Sequence, residues 1–289
     1  MKKGYTMMHE HITIDLSGIK NDEDCRLDCF EETEKELCRL YELGVRRILD
    51  VTNIGMGRNP QYCLRMEKKT GIQILSATGF YKEPFLPEFV YNMSVRKLAE
   101  LAIKEILEGI ENTGIKASVI GEFGTSKDTF TEMEKKVFSS MALAAVQTGA
   151  VVTTHTTLGT MALEQAKYLK SEGVKPEKII IGHLDLSQNA DYILSILKEG
   201  VNIGFDTVGK NNYCPDSFRA GTLKQIAEEG YLEQVVLSMD ITRKSHLRKW
   251  GGPGYAYLFE TFLPMLLEYG LSDEQIELLM TDNPNRILE

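Results

Sequence analysis

The 289-residue chain has five histidines, and four of them stand where short apolar runs end. His9 and His11 flank Glu10 in the first run. Side chains two apart on a strand share a face, so both imidazoles can turn the same way and grip one ion. His155 closes Val151-Val152-Thr153-Thr154-His155, and His183 closes Ile179-Ile180-Ile181-Gly182-His183. Two carboxylates hold equivalent places: Glu122 ends Ser118-Val119-Ile120-Gly121-Glu122, and Asp240 ends Leu237-Ser238-Met239-Asp240. Nitrogen and oxygen donors without thiolate suit Zn2+, with Mn2+, Co2+, Fe2+ and Ni2+ as alternatives. Cys25, Cys29, Cys38, Cys63 and Cys214 form no Cys-x-x-Cys and lack the paired spacing of a zinc ribbon. Singly, each candidate has a plainer reading. A His-x-His can be a surface pair, a strand-end histidine a hydrogen-bonded core residue, and Glu122 or Asp240 a helix N-cap. The choice depends on whether the fold gathers these ends.

The apolar runs cover residues 5–11, 47–52, 72–78, 117–123, 151–155, 179–183, 201–205 and 235–239. Most are rich in Val and Ile and apolar on both faces, as strands of a covered parallel sheet are. Helical periodicity fills 29–43, 95–110, 133–147, 161–170, 190–198, 218–228 and 257–269, with a less regular pattern over 59–70. Gly149, Gly173, Gly200, Gly230 and Gly270 follow several of these helices, at the position where a chain turns left-handed. Eight strand–helix units in one chain predict an α/β fold, a closed (β/α)8 TIM barrel filling residues 1–289 as one domain. Residues 272–280 and the closing Asn283-Pro284-Asn285-Arg286-Ile287-Leu288 read as a short helix and cap over the barrel base. An open doubly wound sheet is the alternative, but no G-x-G-x-x-G or G-x-x-x-x-G-K-[ST] turn follows an early strand.

A barrel brings the C-terminal ends of all its strands to one mouth, where active sites sit. Six ligand-type residues from five strands then converge, and the metal reading overtakes the single-residue alternatives. The composition sets other limits. Lys and Arg sum to 33 against 42 Asp and Glu, a net charge of −9, which argues against general binding of nucleic acid or of an anionic membrane. No run approaches the ~18 apolar residues of a membrane span. Met1-Lys2-Lys3 is basic, but the polar stretch after it is no signal-peptide core, so a reducing cytoplasm is the expected location.

The ordered set resembles the amidohydrolase superfamily: His-x-His on strand one, an anion on strand four, His on strands five and six, Asp on strand eight. Within it the chain is similar to the phosphotriesterase branch, and most of all to its phosphotriesterase homology proteins. The resemblance is carried by Met8-His9-Glu10-His11, Asp15-Leu16-Ser17-Gly18, Thr52-Asn53, Met56-Gly57-Arg58-Asn59 and Gly121-Glu122-Phe123-Gly124-Thr125-Ser126. It continues through Thr154-His155-Thr156, Gly182-His183-Leu184-Asp185, Phe205-Asp206-Thr207, Ser238-Met239-Asp240 and Gly251-Gly252-Pro253-Gly254-Tyr255. It implies that His9, His11 and Asp240 hold a buried metal, that His155 and His183 hold a more exposed one, and that Glu122 bridges them. One departure stands out. Family members that cleave phosphotriesters, and its lactonases, generally carry a carboxylated lysine where this chain has Glu122. Glutamate has the same charge but is shorter, so the backbone or the metal pair has to adjust.

Two divalent ions ~3.5–4 Å apart can share a water and lower its pKa from ~15.7 toward ~7. The expected chemistry is attack of a metal-bridging hydroxide on an ester or lactone carbonyl, with Asp240 taking the proton and passing it to the leaving group. Phosphotriester, phosphoester and amide hydrolysis are alternatives, and a metal-containing barrel that binds a ligand without turnover is one of another class. Substrate choice falls to the loops at the mouth, which carry Lys82, Asn211 and Arg248 and, as candidate contacts, Arg58, Tyr81, Lys210, Tyr213, Arg243, Lys244 and His246. Basic residues at the mouth of an acidic protein suggest a small anionic substrate such as a phosphorylated sugar lactone, although solvated surface charge is the plainer reading for most of them. The only tryptophan, Trp250, lies in the last long loop, so no aromatic cage for a neutral phosphotriester is evident. Assembly as a homodimer is compatible with all of this.

Overall fold

A computed structural model describes residues 4–289, so the basic start at 1–3 lies outside it. Eight parallel strands run in sequence order around one sheet: β1 (Tyr5–Glu10), β2 (Val45–Asp50), β3 (Gln73–Thr78), β4 (Ala117–Thr125), β5 (Val151–Thr156), β6 (Ile179–Ile181), β7 (Asn202–Phe205) and β8 (Val235–Leu237). The helices outside them are α1 (Phe30–Glu42), α2 (Pro60–Thr70), α3 (Val95–Leu107), α4 (Glu132–Thr148), α5 (Ala162–Ser171), α6 (Ala190–Leu197), α7 (Asp216–Glu228) and α8 (Leu263–Glu268). This is the expected (β/α)8 barrel. Among the described residues no helix is long and apolar enough to cross a membrane.

Local chemistry explains most helix ends. Thr131 opens α4 with a capping box, accepting the Glu134 N–H at 3.1 Å while the Glu134 carboxylate accepts the Thr131 N–H at 3.0 Å. The expected helix at 257–269 is split: a wide π-type turn, Leu258–Phe262, precedes α8. Pro264 lacks the N–H that would bond back to the preceding turn. Pro284 stands just after a second such turn, Leu278–Asp282, so the terminal helix expected at 272–280 ends early at Glu277.

Apolar side chains form two bodies. One large cluster fills the shell between strands and helices. A smaller one, including Met8, Leu49, Ala77, Val119, Val151, Ile180 and Val236, is drawn from every strand except β7, with Ile287 of the C-terminal helix packed on it. It fills the barrel interior below the strand ends that carry the candidate ligands.

The seam between β1 and β8 is held by Glu10 and by Ser238, whose Oγ accepts the His9 N–H at 3.0 Å. The Glu10 carboxylate accepts the Ser238 hydroxyl at 2.8 Å, the Met239 N–H at 2.7 Å and the Ile241 N–H at 3.0 Å. The residue between the two histidines of the first strand therefore pins the segment that carries Asp240.

Arg219 makes a second buried tie. Its guanidinium meets Asp185 at 2.5 Å, Asp216 at 2.8 Å, Thr207 Oγ1 at 2.8 Å and the Cys214 carbonyl at 2.5 Å, all shielded from solvent. It links the ends of β6 and β7 to the loop after β7, where Asp216 also accepts the Gly209 N–H and the Tyr257 hydroxyl. Removing one member leaves buried charge uncompensated, so Arg219→Ala is expected to cost about 3–5 kcal/mol. Urea denaturation of metal-free protein measures this, and a loss well under 1 kcal/mol would overturn it.

Candidate metal centre

Straight alternation could not present both Met8 and His9 to the barrel interior. Between Met7 and Glu10 the register of β1 on β2 slips by one residue, and β4 slips likewise on β5 between Ile120 and Phe123. Such a bulge re-aims every later side chain. In β1 it passes the interior from Met8 to His9 and His11; in β4 it passes it from Val119 to Glu122. Gly121 allows the second slip, because a Cβ there would lie 2.2 Å from the Thr153 carbonyl oxygen. His183 and Asp240, expected to close their strands, instead stand beyond the last strand residues, both with left-handed φ, at 56° and 52°.

The six side chains converge. Glu122 Oε1 lies 3.3 Å from His11 Nε2, and Glu122 Oε2 lies 3.5 Å from His9 Nε2, 3.2 Å from His155 Nδ1 and 3.4 Å from His183 Nε2. Asp240 Oδ1 is 3.3 Å from His11 Nε2 and 3.8 Å from His9 Nε2. Three ligand groups follow, each with its donor atoms within 4.8 Å of one another: His9, His11 and Glu122; Glu122, His155 and His183; His9, His183 and Asp240.

Neighbours fix the histidine tautomers. Thr52 Oγ1 gives its proton to the Thr13 carbonyl at 3.1 Å, so it can only accept from His11 Nδ1 at 2.7 Å, and His11 Nε2 keeps its lone pair. Thr157 gives its proton to the Thr125 carbonyl and accepts from His155 Nε2 at 3.3 Å, which leaves Nδ1 facing Glu122. Asp206 accepts from His183 Nδ1 at 2.7 Å and lies 3.3 Å from His9 Nδ1, freeing both Nε2 atoms toward the centre. Asp206 was quoted in the sequence only as part of a motif. The available signal was its place at the end of β7, the counterpart of Asp240 on β8. Glu10 and Thr52 stand in quoted motifs in the same way, without a role, because a residue that holds a backbone segment or a ring gives no ligand signal of its own.

Asp206→Asn is expected to weaken metal binding by about 10–100-fold, the usual cost of losing a carboxylate behind ligating histidines. Competition against a chromophoric chelator reads the change directly. Unaltered affinity would remove Asp206 from the orienting role.

The electrostatics fit a cation. Burial alone would raise the Glu122 carboxyl, yet His9, His11, His155 and His183 hold it well below the usual carboxylate range. Burial would likewise raise Asp240, but Lys210, His11 and His183 hold it well below. Burial would lower His11, but Asp240 and Glu122 outweigh it and push the imidazole up to about 10. The buried acids thus demand positive charge. Burial, together with His183, brings His155 down to about 4, which suits a neutral ligand. His9 Nε2, His11 Nε2 and Glu122 Oε2 are buried without a hydrogen-bond partner and aimed at one another. Orphaned donors of this kind are what a coordinated ion satisfies, so the residues fit a divalent metal centre.

Above it opens a cavity of about 320 Å3 lined by His11, His155, His183, Glu122 and Asp240. Tyr81, Lys210, Tyr213, Arg243 and His246 also line it. Tyr81 sets its hydroxyl 3.1 Å from His155 Nδ1, and the Lys210 ammonium is paired with Asp240 Oδ2. Arg243 lines the wall with its charge directed away, 2.8 Å from Asp22 and 3.5 Å from Asp24. Burial and the neighbouring Lys210 lower His246 to about 4, so it contributes a neutral ring and no charge. Two expected substrate contacts are corrected. Arg58 is buried in an ion pair with Glu105 at 2.7 Å and with Glu111 at 3.0 Å, beneath the loops, where two acids have drawn its charge inward. Lys244 sits in the short helical turn Lys244–His246 outside the cavity lining. Trp250 is exposed and also outside it.

A family model described as the phosphotriesterase family matches residues 1–288. A protein of Escherichia coli (strain K12) called phosphotriesterase homology protein is 44% identical over 286 residues, covering 99% of this chain and 98% of the relative. A crystal structure of phosphotriesterase homology protein from Escherichia coli, complexed with phosphate in its active site, matches with a TM-score of 0.98 at 44% identity, covering 100% of both chains. An aryldialkylphosphatase of Saccharolobus solfataricus is 30% identical over 299 residues, 98% of this chain and 94% of its own. A phospho-furanose lactonase of Mycoplasmopsis synoviae is 30% identical over 312 residues, 99% and 88%.

Proposed function

Because this chain belongs to the phosphotriesterase family, and so to the metal-dependent hydrolases of the amidohydrolase superfamily, we propose that it uses two divalent ions to hydrolyse the ester bond of a small anionic lactone or carboxylic ester. The observation that carries the reading is Glu122, which stands among all four imidazoles, its Oε1 toward His11 and its Oε2 toward His9, His155 and His183. His9, His11 and Asp240 would hold one ion, His155 and His183 the other, and Glu122 both. Four imidazoles and two carboxylates without thiolate favour Zn2+, with Mn2+, Co2+, Fe2+ and Ni2+ as alternatives. When bound, such a pair supplies a water acidified strongly toward neutral pH and a pull on the carbonyl oxygen.

The protein's own groups do the rest. Asp240 has one oxygen toward His11 and the other toward Lys210 and the cavity, so it can accept the proton of the attacking water and return it to the leaving alkoxide. Asp206, Thr52 and Thr157 hold the imidazoles so that no ring has to turn during the reaction. Lys210, whose partner Asp240 would also serve the metal, puts an ammonium on the strand-seven side of the mouth that suits a phosphate or carboxylate substituent. A phosphate in the active site of the Escherichia coli relative and the phospho-furanose lactonase among the relatives support an anionic substrate. The aryldialkylphosphatase keeps phosphotriesters as the second reading, which the basic mouth and the outlying Trp250 disfavour.

A screen of Zn2+-, Mn2+- and Co2+-loaded protein against phosphorylated and unphosphorylated lactones, aryl esters and phosphotriesters tests this, with Asp240→Asn as control. Lactone or carboxylic-ester turnover above phosphotriester turnover is expected. Flat rates throughout would favour a barrel that binds without turnover.

A further inference from the structure

Not all the cations at the mouth are already matched. Lys210 has Asp240, and Arg243 has Asp22 and Asp24. Lys82, half-buried just beyond β3, and Lys20, exposed at the end of the helical turn Ser17–Lys20, have no carboxylate within 4.0 Å among the described residues. Both ammonium groups stand 5.8 Å from the centre of the same ring, Phe85, and Lys82 is also 5.9 Å from that of Tyr81. The one conventional hydrogen bond of Lys82 goes to the Glu83 carbonyl at 2.8 Å. The acids nearest it are engaged elsewhere. Glu83 accepts from Tyr91 and Thr131, Glu134 from Ser126 and the Thr131 N–H, and Glu122 faces the histidines. Burial lowers Lys82 from its ordinary value, so holding the charge there works against solvation.

We propose that Lys20 and Lys82, around Phe85, form a second anion subsite that takes a carboxylate or comparable oxyanion carried by the substrate on the β3 side of the scissile bond. All three line the cavity above the metal centre, next to the apolar side chains of Ile14 and Leu16. Strand β3 and strand β7, which precedes Lys210, stand four places apart in a ring of eight, so the two cationic walls face each other across the centre. Two ammonium groups beside one aromatic ring bind an oxyanion by charge-assisted hydrogen bonds, and the apolar wall admits a short carbon stem. The inference rests on the hydrolase reading. Water adds across the acyl C–O bond, the oxygen of the ring becomes an alcohol and the acyl carbon a carboxylate, so a substrate already bearing an acid leaves as a dianion.

The test compares 5-oxotetrahydrofuran-2-carboxylate with γ-butyrolactone as substrates, and their ring-opened products 2-hydroxyglutarate and 4-hydroxybutyrate as ligands in calorimetry on the metal-loaded chain. Wild type is expected to bind 2-hydroxyglutarate at least about tenfold more tightly than 4-hydroxybutyrate and to show a matching KM preference for the acidic lactone. The double variant Lys20→Met, Lys82→Met should lose that preference while its KM for γ-butyrolactone holds, and Lys82→Arg should restore part of it. Turnover of both lactones with a preference untouched in the double variant, or absent from wild type, overturns the subsite and leaves the hydrolase reading standing. A lysine-dependent preference in product binding without lactone turnover keeps the subsite and sinks the lactone reading. A preference that disappears only in Arg243→Met would assign the anion to the strand-eight wall and overturn the proposal.

Discussion

Asp240→Asn is expected to lower kcat on the best lactone or ester by about 10²–10⁴-fold, the range lost when a positioned proton acceptor is removed. The substitution is nearly isosteric. Its amide oxygen can still lie where Asp240 Oδ1 does, 3.3 Å from His11 Nε2, so elemental analysis should find far less change in metal content than in rate. What goes is the second oxygen, which Lys210 now faces, and with it the negative charge. An amide NH2 in that place would point a donor at an ammonium and could take no proton. The Ile241 and Met239 N–H bonds to Glu10 hold the segment independently of residue 240, so the fold should persist and the thermal midpoint should change little. The ionised Asp240, held well below the usual carboxylate range, is present throughout neutral pH, so its loss should depress rate across that whole span. A kcat equal to wild type with full metal content would take the proton-transfer role away from this residue.

The barrel was legible because its eight strands announce themselves as short Val- and Ile-rich runs and their helices as amphipathic segments ending on glycine. Periodicity of that kind survives any detail of packing. The ligands were legible for a different reason: imidazoles and acids at the ends of otherwise apolar runs have little other use once a barrel gathers those ends. The bulges were not legible, since alternation read straight through β1 puts Met8 and His9 on opposite faces, and only the paired strand reveals the slip. Nor was the fate of each mouth charge. Arg58 and Arg243 look alike in sequence, but one is sealed beneath the loops with Glu105 and the other reaches from the cavity wall to Asp22. Pairing partners some 50 to 220 positions away decide which cations remain available, and Lys82 stands apart from the other loop cations only when those partners are known.

Glu122→Ala should have the widest consequence, because four imidazoles lie within 3.5 Å of this one carboxylate. Metal content after reconstitution is expected to fall from about two ions per chain to one or none, and kcat/KM by more than about 10²-fold, beyond the usual cost of residues that merely support ligands. Removing the acid also removes the main counter-charge for His155 and, after Asp206, the next one for His183, so those rings should let go of a proton more readily while offering a weaker joint site. Glu122→Gln separates shape from charge: it keeps an oxygen between the two ligand sets but drops the negative charge that balances two dications, and should hold at most one of them tightly. Zinc titration by calorimetry, with elemental analysis of the dialysed protein, distinguishes these cases. One site of unchanged affinity in wild type and Glu122→Ala alike would mean that Glu122 bridges nothing, and that the slipped register of β4 places a carboxylate beside the ion rather than between two.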